Sequence, residues 1–168
     1  MAGLTACYAL GMNMVEAIDR LGGYITPAGR LGLHFIEKDI VIIDDSYDSS
    51  PVACESALVM LGDIPFGKRK IAVLGDMMGL GRHTESAHEN IGRVVKENAS
   101  ILVTVGLRAK KIAEGARMSK MNSKKIFEVE NISDVTDILR KNKKAGDIIL
   151  LKGAHVLNMG EILNNLKE

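Results

Sequence analysis

The sequence has no tryptophan, and aromatic residues make up only 4% of its 168 positions. Proteins that hold single-stranded nucleic acid stack its bases on aromatic rings, so that mode of binding is excluded. Neither sign of charge is in excess: 22 Lys and Arg stand against 21 Asp and Glu, a formal charge of +1. Such a balance leaves no electrostatic footprint for DNA or for an anionic membrane. There are two cysteines, Cys7 and Cys54. Each sits among apolar neighbours and at no metal or redox spacing, and each is expected as a buried thiol. No apolar run approaches the roughly 20 residues of a membrane-spanning helix, and no signal peptide is visible. The chain reads as cytoplasmic, with no nucleic-acid and no membrane partner. No Gly-x-x-x-x-Gly-Lys-Ser/Thr occurs, and Gly75, Gly79 and Gly81 do not make Gly-x-Gly-x-x-Gly. By themselves they give no triphosphate or dinucleotide fingerprint, and no metal site is expected.

What is present is enough apolar material, 46%, for one domain with a proper core. Residues 1–23 carry two short helical patterns, Met1 to Leu10 and Met14 to Leu21, broken at Gly11, with Asn13 as N-cap of the second. Ile25-Thr26-Pro27-Ala28-Gly29 is a linker by composition. Beyond it strands and helices alternate. His34–Ile36 and Ile40–Ile43 read as a hairpin turning at Glu37-Lys38-Asp39. Helices are expected over Pro51–Leu61, His83–Asn98 and Ala109–Met118, from a cap at Ser133 to about Lys141, and over Met159–Lys167. Strands are expected over Lys70–Leu74, Ile101–Val105, Lys125–Val129 and Asp147–Leu151. Runs such as Ile40-Val41-Ile42-Ile43 and Ile148-Ile149-Leu150-Leu151 are apolar throughout, as strands covered on both faces are. The fold class is therefore α/β: an open, mostly parallel, Rossmann-like sheet of about six strands, preceded by a short helical segment.

In such sheets ligands bind beyond the carboxyl ends of the strands. The segments there are Asp44-Asp45-Ser46-Tyr47-Asp48-Ser49-Ser50-Pro51, Gly75-Asp76-Met77-Met78-Gly79-Leu80-Gly81, Gly106, and Lys152-Gly153-Ala154-His155. Two carry acids and one a lysine, placed at the surface of a strand tip. Plainer readings exist for each: the Asp pair caps a helix, the glycines form a turn, and His88 sits alone in an amphipathic helix. The run Arg140-Lys141-Asn142-Lys143-Lys144 is a solvated helix end facing the negative pole of the helix dipole. Asp44-Asp45, Asp76, Thr104 and Lys152 also echo a phosphorylated signalling receiver, although that fold has Pro after its lysine where this chain has Gly153.

At finer grain the chain resembles the last domain of the Mur ligases, most closely the branch that adds D-alanyl-D-alanine. Gly29-Arg30-Leu31 looks like the Gly-Arg joining that family's central and last domains. Residues 44–51 resemble its Asp-Asp-x-Tyr-Asn-Ala-Asn-Pro. Leu74 to Gly81, followed by Glu85 and His88, resembles its Leu-Gly-Asp-Met-x-Glu-Leu-Gly with a downstream His, and Leu151 to His155 resembles its Val-Lys-Gly-Ser-Arg. The departures are Asp48, Ser50, Gly79, Ala154 and His155, around the nucleotide edge and the incoming amine. Related methanogen ligases acting on pseudomurein or tetrapyrrole precursors are the alternative within the family. The resemblance implies residues 1–28 as the helical end of a central ATP-binding domain plus linker, and 29–168 as the C-terminal domain. It implies a full-length ligase that uses ATP and Mg2+, bound mainly by the central domain, to join an amino acid or dipeptide to a carboxylate through an acyl phosphate. It places Arg30, Asp45, Tyr47 and Asp48 at the nucleotide. Lys152, with Gly153, Ala154, His155, Asp76 and His88, falls around the amine substrate. The isolated chain is expected to be inactive.

Overall fold

The computed structural model describes residues 2–167; Met1, the expected start of the first helix, and Glu168 lie outside the described residues. Helices α1 (Ala2–Ala9) and α2 (Met14–Leu21) pack on each other and contribute nothing to the sheet. Asn13 caps α2 as expected: its side-chain oxygen accepts from the backbone N–H of Val15 at 2.9 Å and of Glu16 at 3.3 Å, two donors that the first helical turn leaves unpaired. Cys7, on α1, is only half-buried, because no second layer covers that helix; Cys54 is buried as expected.

From Gly32 the chain builds the sheet. Strands β1 (Gly32–Ile36) and β2 (Ile40–Asp45) form the hairpin, and Asp39 takes φ 59° in its turn. There follow α3 (Pro51–Asp63), β3 (Arg69–Gly75), α4 (Thr84–Asn98), β4 (Ile101–Val105), α5 (Lys110–Met118), β5 (Ile126–Val129), α6 (Ile132–Asn142), β6 (Asp147–Lys152) and α7 (Gly160–Lys167). The strand order is β1-β2-β6-β3-β4-β5, parallel except for β1.

Alternate residues of each strand face opposite ways, so a strand apolar throughout feeds two cores. One face carries Ile43, Leu74 and Leu150 under α3, α4 and α5; the other carries Ile42, Val73 and Ile149 under α6 and α7. Helices α4 and α5 cross closely. A Cβ on Gly115 would lie 2.0 Å from the Glu89 carbonyl oxygen, and one on Gly92 2.1 Å from that of Ile112. Ser133 does not cap α6. The helix begins at Ile132, with Asn131 in the extended cap conformation and making no side-chain capping bond. Ile132 packs against the second core, and this draws the start of the helix ahead of Ser133.

Candidate functional site

Parallel pairing sets Asp45 of β2 directly beside Lys152 of β6. Both side chains leave the sheet on the α3 face, since each lies two residues beyond one that faces that core, Ile43 and Leu150. The Lys152 ammonium donates to Asp45 Oδ2 at 2.6 Å and to the carbonyl oxygen of Asp48 at 3.0 Å. Lys152 is 2% exposed. This corrects the expectation of a surface lysine: the strand tip is roofed by the 46–50 loop and the start of α3, and the charge is tolerated because a carboxylate and a carbonyl replace its water. Beneath the pair lies Cys54, whose thiol is pushed up to about 12, chiefly by burial.

Around this pair opens a cleft of about 350 Å³, lined by Arg30, Asp45, Tyr47, Asp48, Met60 and Lys152 among others. All four residues assigned to the nucleotide therefore meet in one place. Gly29 fastens the linker here. Its carbonyl accepts the Tyr47 N–H at 2.9 Å, its φ is 72°, and a Cβ would sit 2.9 Å from that nitrogen, so no side chain fits. The Arg30 guanidinium lies 4.1 Å above the Tyr47 ring, a cation–π contact. His155 meets the same ring edge-on at 5.5 Å. Ser50, one of the departures from the family pattern, still caps α3 through the Ala53 N–H at 3.4 Å.

The remaining residues of the amine set are tied up elsewhere. Asp76 Oδ1 accepts the Ala109 N–H at 2.7 Å, and Oδ2 faces Arg108 at 3.4 Å. Its carboxylate thus holds the β4–α5 loop, away from Lys152. The Asp76 carbonyl takes the Ala154 N–H at 3.1 Å, so that donor is not free for a substrate anion as expected. Gly153 does not admit a ligand either: the Met159 sulfur and the Gly75 backbone fill the space where its Cβ would be. His88 is fully buried. Its Nε2 accepts the Met77 N–H at 2.9 Å, and its Nδ1 lies 2.6 Å from the Thr84 carbonyl oxygen, which fixes the proton on Nδ1. It pins the 75–81 loop to α4.

The acids after β2 and β3 therefore do not converge as a receiver's do. Among the described residues no three His, Cys, Asp or Glu gather as a metal would need. Sequence reasoning missed the α3 wall of the cleft, Ala53, Ser56, Ala57 and Met60. Their helical spacing after Pro51 was the signal, since a helix starting at the motif must turn one face towards it. Arg108, beside Asp76, was missed as well and had no such signal.

The family model described as Mur ligase, glutamate ligase domain matches residues 29–155. The UDP-N-acetylmuramoyl-tripeptide–D-alanyl-D-alanine ligase of Bacillus subtilis is 28% identical over 169 residues, which cover 100% of this chain and 37% of that protein. Its counterpart in Mycobacterium leprae is 25% identical, over 99% of this chain and 36% of that protein. Among solved structures, the MurF ligase of Thermotoga maritima in complex with ADP superposes with a TM-score of 0.77 at 22% identity, over 98% of this chain and 36% of that one. MurF from Acinetobacter baumannii gives 0.78 at 23%, over 96% and 35%. At such identities the structural likeness is one of fold. The chain spans a little over a third of the length of these relatives. None of these relatives points to a pseudomurein or tetrapyrrole ligase.

Proposed function

Since residues 29–155 match the glutamate ligase domain of the Mur ligases, the chain belongs to that family, and from that premise we propose that it closes over the nucleotide and presents the amine in an ATP-dependent amide ligase of cell-wall precursor synthesis. The observation that carries this is the convergence of Arg30, Asp45, Tyr47, Asp48 and Lys152 on one cleft at the carboxyl ends of β2 and β6. The amine is proposed to be D-alanyl-D-alanine, by analogy with the printed activity of the relatives. Residues 1–28 are proposed as the end of a central domain that would cover the exposed apolar side chains of Tyr8, Val15 and Ile18.

The residues fit a nucleoside. A carboxylate, an aromatic face and a cation share a cleft, and Asp45 is placed to accept hydrogen bonds from ribose hydroxyls. Arg30 rests on an exposed ring at the linker, free to swing to a terminal phosphate and stabilise the charge that develops in phosphoryl transfer. Lys152 commits two of its three N–H groups to Asp45 and Asp48 and keeps one for a substrate carboxylate. Asp76 and His88 hold the neighbouring 75–81 and β4–α5 loops and do not line the cleft. ATP supplies the phosphoryl group that activates the acceptor carboxylate. We propose that Mg2+ is held by the rest of the ligase.

The test is steady-state kinetics on the full-length ligase. Arg30→Met should lower kcat by at least ~100-fold, since arginines that meet a transferring phosphoryl group contribute about 10³–10⁵. The KM for the dipeptide should move much less. The purified chain alone should not turn over ATP, for want of a P-loop. An unchanged kcat in the variant, or ATP turnover by the chain that persists through further purification, would refute the assignment.

A further inference from the structure

The formal charge of +1 hides a polarity that appears only when the chain is folded. At the amino-terminal ends of β3 and β6, opposite the nucleotide cleft, distant segments bring together Lys68, Arg140, Lys141, Lys143, Lys144 and Lys167. The Lys68 N–H donates to the Gly146 carbonyl at 2.8 Å, and the Lys68 stem lies where a Gly146 Cβ would point. The Lys144 N–H donates to Asp147 Oδ2 at 2.7 Å. Arg140, Lys143 and Lys167 line one shallow cleft with Phe35. Lys143 is paired with Glu37. Among the described residues the other five form no salt bridge.

Attraction of cations to helix carboxyl ends accounts for Arg140 and Lys141 on α6 and for Lys167 on α7. It does not account for Lys68 and Lys144, which sit in loops. Nor does it account for the rings beside them. The sequence has three phenylalanines, and two are exposed at this end, Phe35 at 76% and Phe66 at 61%. Lys70 bonds the Phe66 carbonyl at 2.9 Å and so ties that ring's loop to β3. The patch crosses the ends of four strands, roughly 15 Å at the usual strand spacing.

We propose that this end of the domain docks on an anionic lipid bilayer, with the lysines over the headgroups and Phe35 and Phe66 entering the acyl boundary. Clustered basic residues are drawn to anionic headgroups, and an apolar ring beside them gains by leaving water for the acyl region. A single-stranded nucleic acid offers the cations the same charge, but its bases would find only two rings to stack on, Phe35 on β1 and Phe66 in the loop before β3. Glu37, Asp39 and Asp63 lie at this same end, but the six cations outnumber them, and most of the acids that balance the whole chain lie elsewhere. The nucleotide cleft lies at the other end of the strands, so docking leaves it open. The inference does not rest on the ligase reading.

Co-sedimentation of the 168-residue protein with vesicles tests it, comparing phosphatidylcholine alone with phosphatidylcholine containing one third phosphatidylglycerol. Binding is expected only to the anionic vesicles and should fade as salt shortens the screening length. Lys68→Gln and Lys144→Gln should each weaken it about five-fold, since each basic residue near an anionic surface contributes roughly that factor. Phe66→Ser should weaken it while leaving the salt dependence unchanged. Thermal melts of the three variants should match the parent, which separates a lost surface from a lost fold. Equal binding to both vesicle types, or none to either, would overturn the proposal. So would tighter binding to a single-stranded RNA oligomer than to the anionic vesicles, whether it ignores Phe66→Ser, as general polyanion capture would, or depends on that ring, as base stacking would.

Discussion

Lys152→Met removes the cation from a pair that the fold has closed over. Asp45 keeps 18% side-chain exposure while Lys152 keeps 3%, so the stranded carboxylate reaches some water but not enough to solvate it fully. Removing one member of a buried pair costs about 3–5 kcal/mol, and partial access of water to Asp45 argues for the lower end, near 3. The Asp48 carbonyl also loses a donor. For a domain of this size each kcal/mol shifts Tm by roughly 2–4 °C, so a fall of about 6–12 °C is expected. Circular-dichroism melts at neutral pH, with Asp45→Asn and the double variant alongside, read both the cost and the coupling. The double variant should recover at least ~1.5 kcal/mol relative to the sum of the singles, as contacting charges do. A single-variant drop within about 2 °C, or strict additivity, would mean that Lys152 behaves as the surface lysine its sequence position suggests.

Gly115→Ala should destabilise by about 3 kcal/mol in urea unfolding, because its Cβ meets the Glu89 carbonyl of α4 and both helices must part to admit it; a change under about 1 kcal/mol would show that the crossing yields easily. Cys54, with its thiol held near 12, should resist a thiol reagent at pH 8 in the folded protein while half-buried Cys7 reacts; equal rates would contradict its burial. The folded state binds that proton more tightly than the unfolded chain, whose thiol titrates near the ordinary 9.0. The stability from Cys54 is therefore complete below pH 9 and lost as pH rises towards 12, a loss that Cys54→Ser should not show in the same titration.

The scaffold was largely legible in the sequence because its signals are local. The apolar strands declare burial on both faces, Pro51 and Asn13 mark helix starts, and Ile101–Val105 coincides with β4 to the residue. What escaped depends on residues far apart in the chain. Asp45 and Lys152 are 107 positions apart, so nothing near Lys152 announces that it is buried and paired. The Ala154 N–H looked free until the Asp76 carbonyl was placed against it, and Gly153 looked open until the Gly75 backbone, with Met159, closed on it. Gathering Arg30, Asp45, Tyr47 and Asp48 at one cleft required the motif resemblance, because composition and spacing offered only an acidic strand tip. The basic end was hidden for the opposite reason: a sum over the whole chain averages out a separation that exists only in three dimensions.

Of the six strands, the one lodged between β2 and β3 is the latest in chain order. As the polypeptide leaves the ribosome, every other strand is available before Asp147–Lys152 arrives. Until then the nascent domain carries a slot with two bare apolar edges, where a stray extended segment could pair in place of β6. The same insertion delivers Lys152 beside Asp45. The final strand therefore closes the gap and completes the pocket in one step, and a chain cut short of it would lack both its central pairing and the cleft around Asp45 and Lys152.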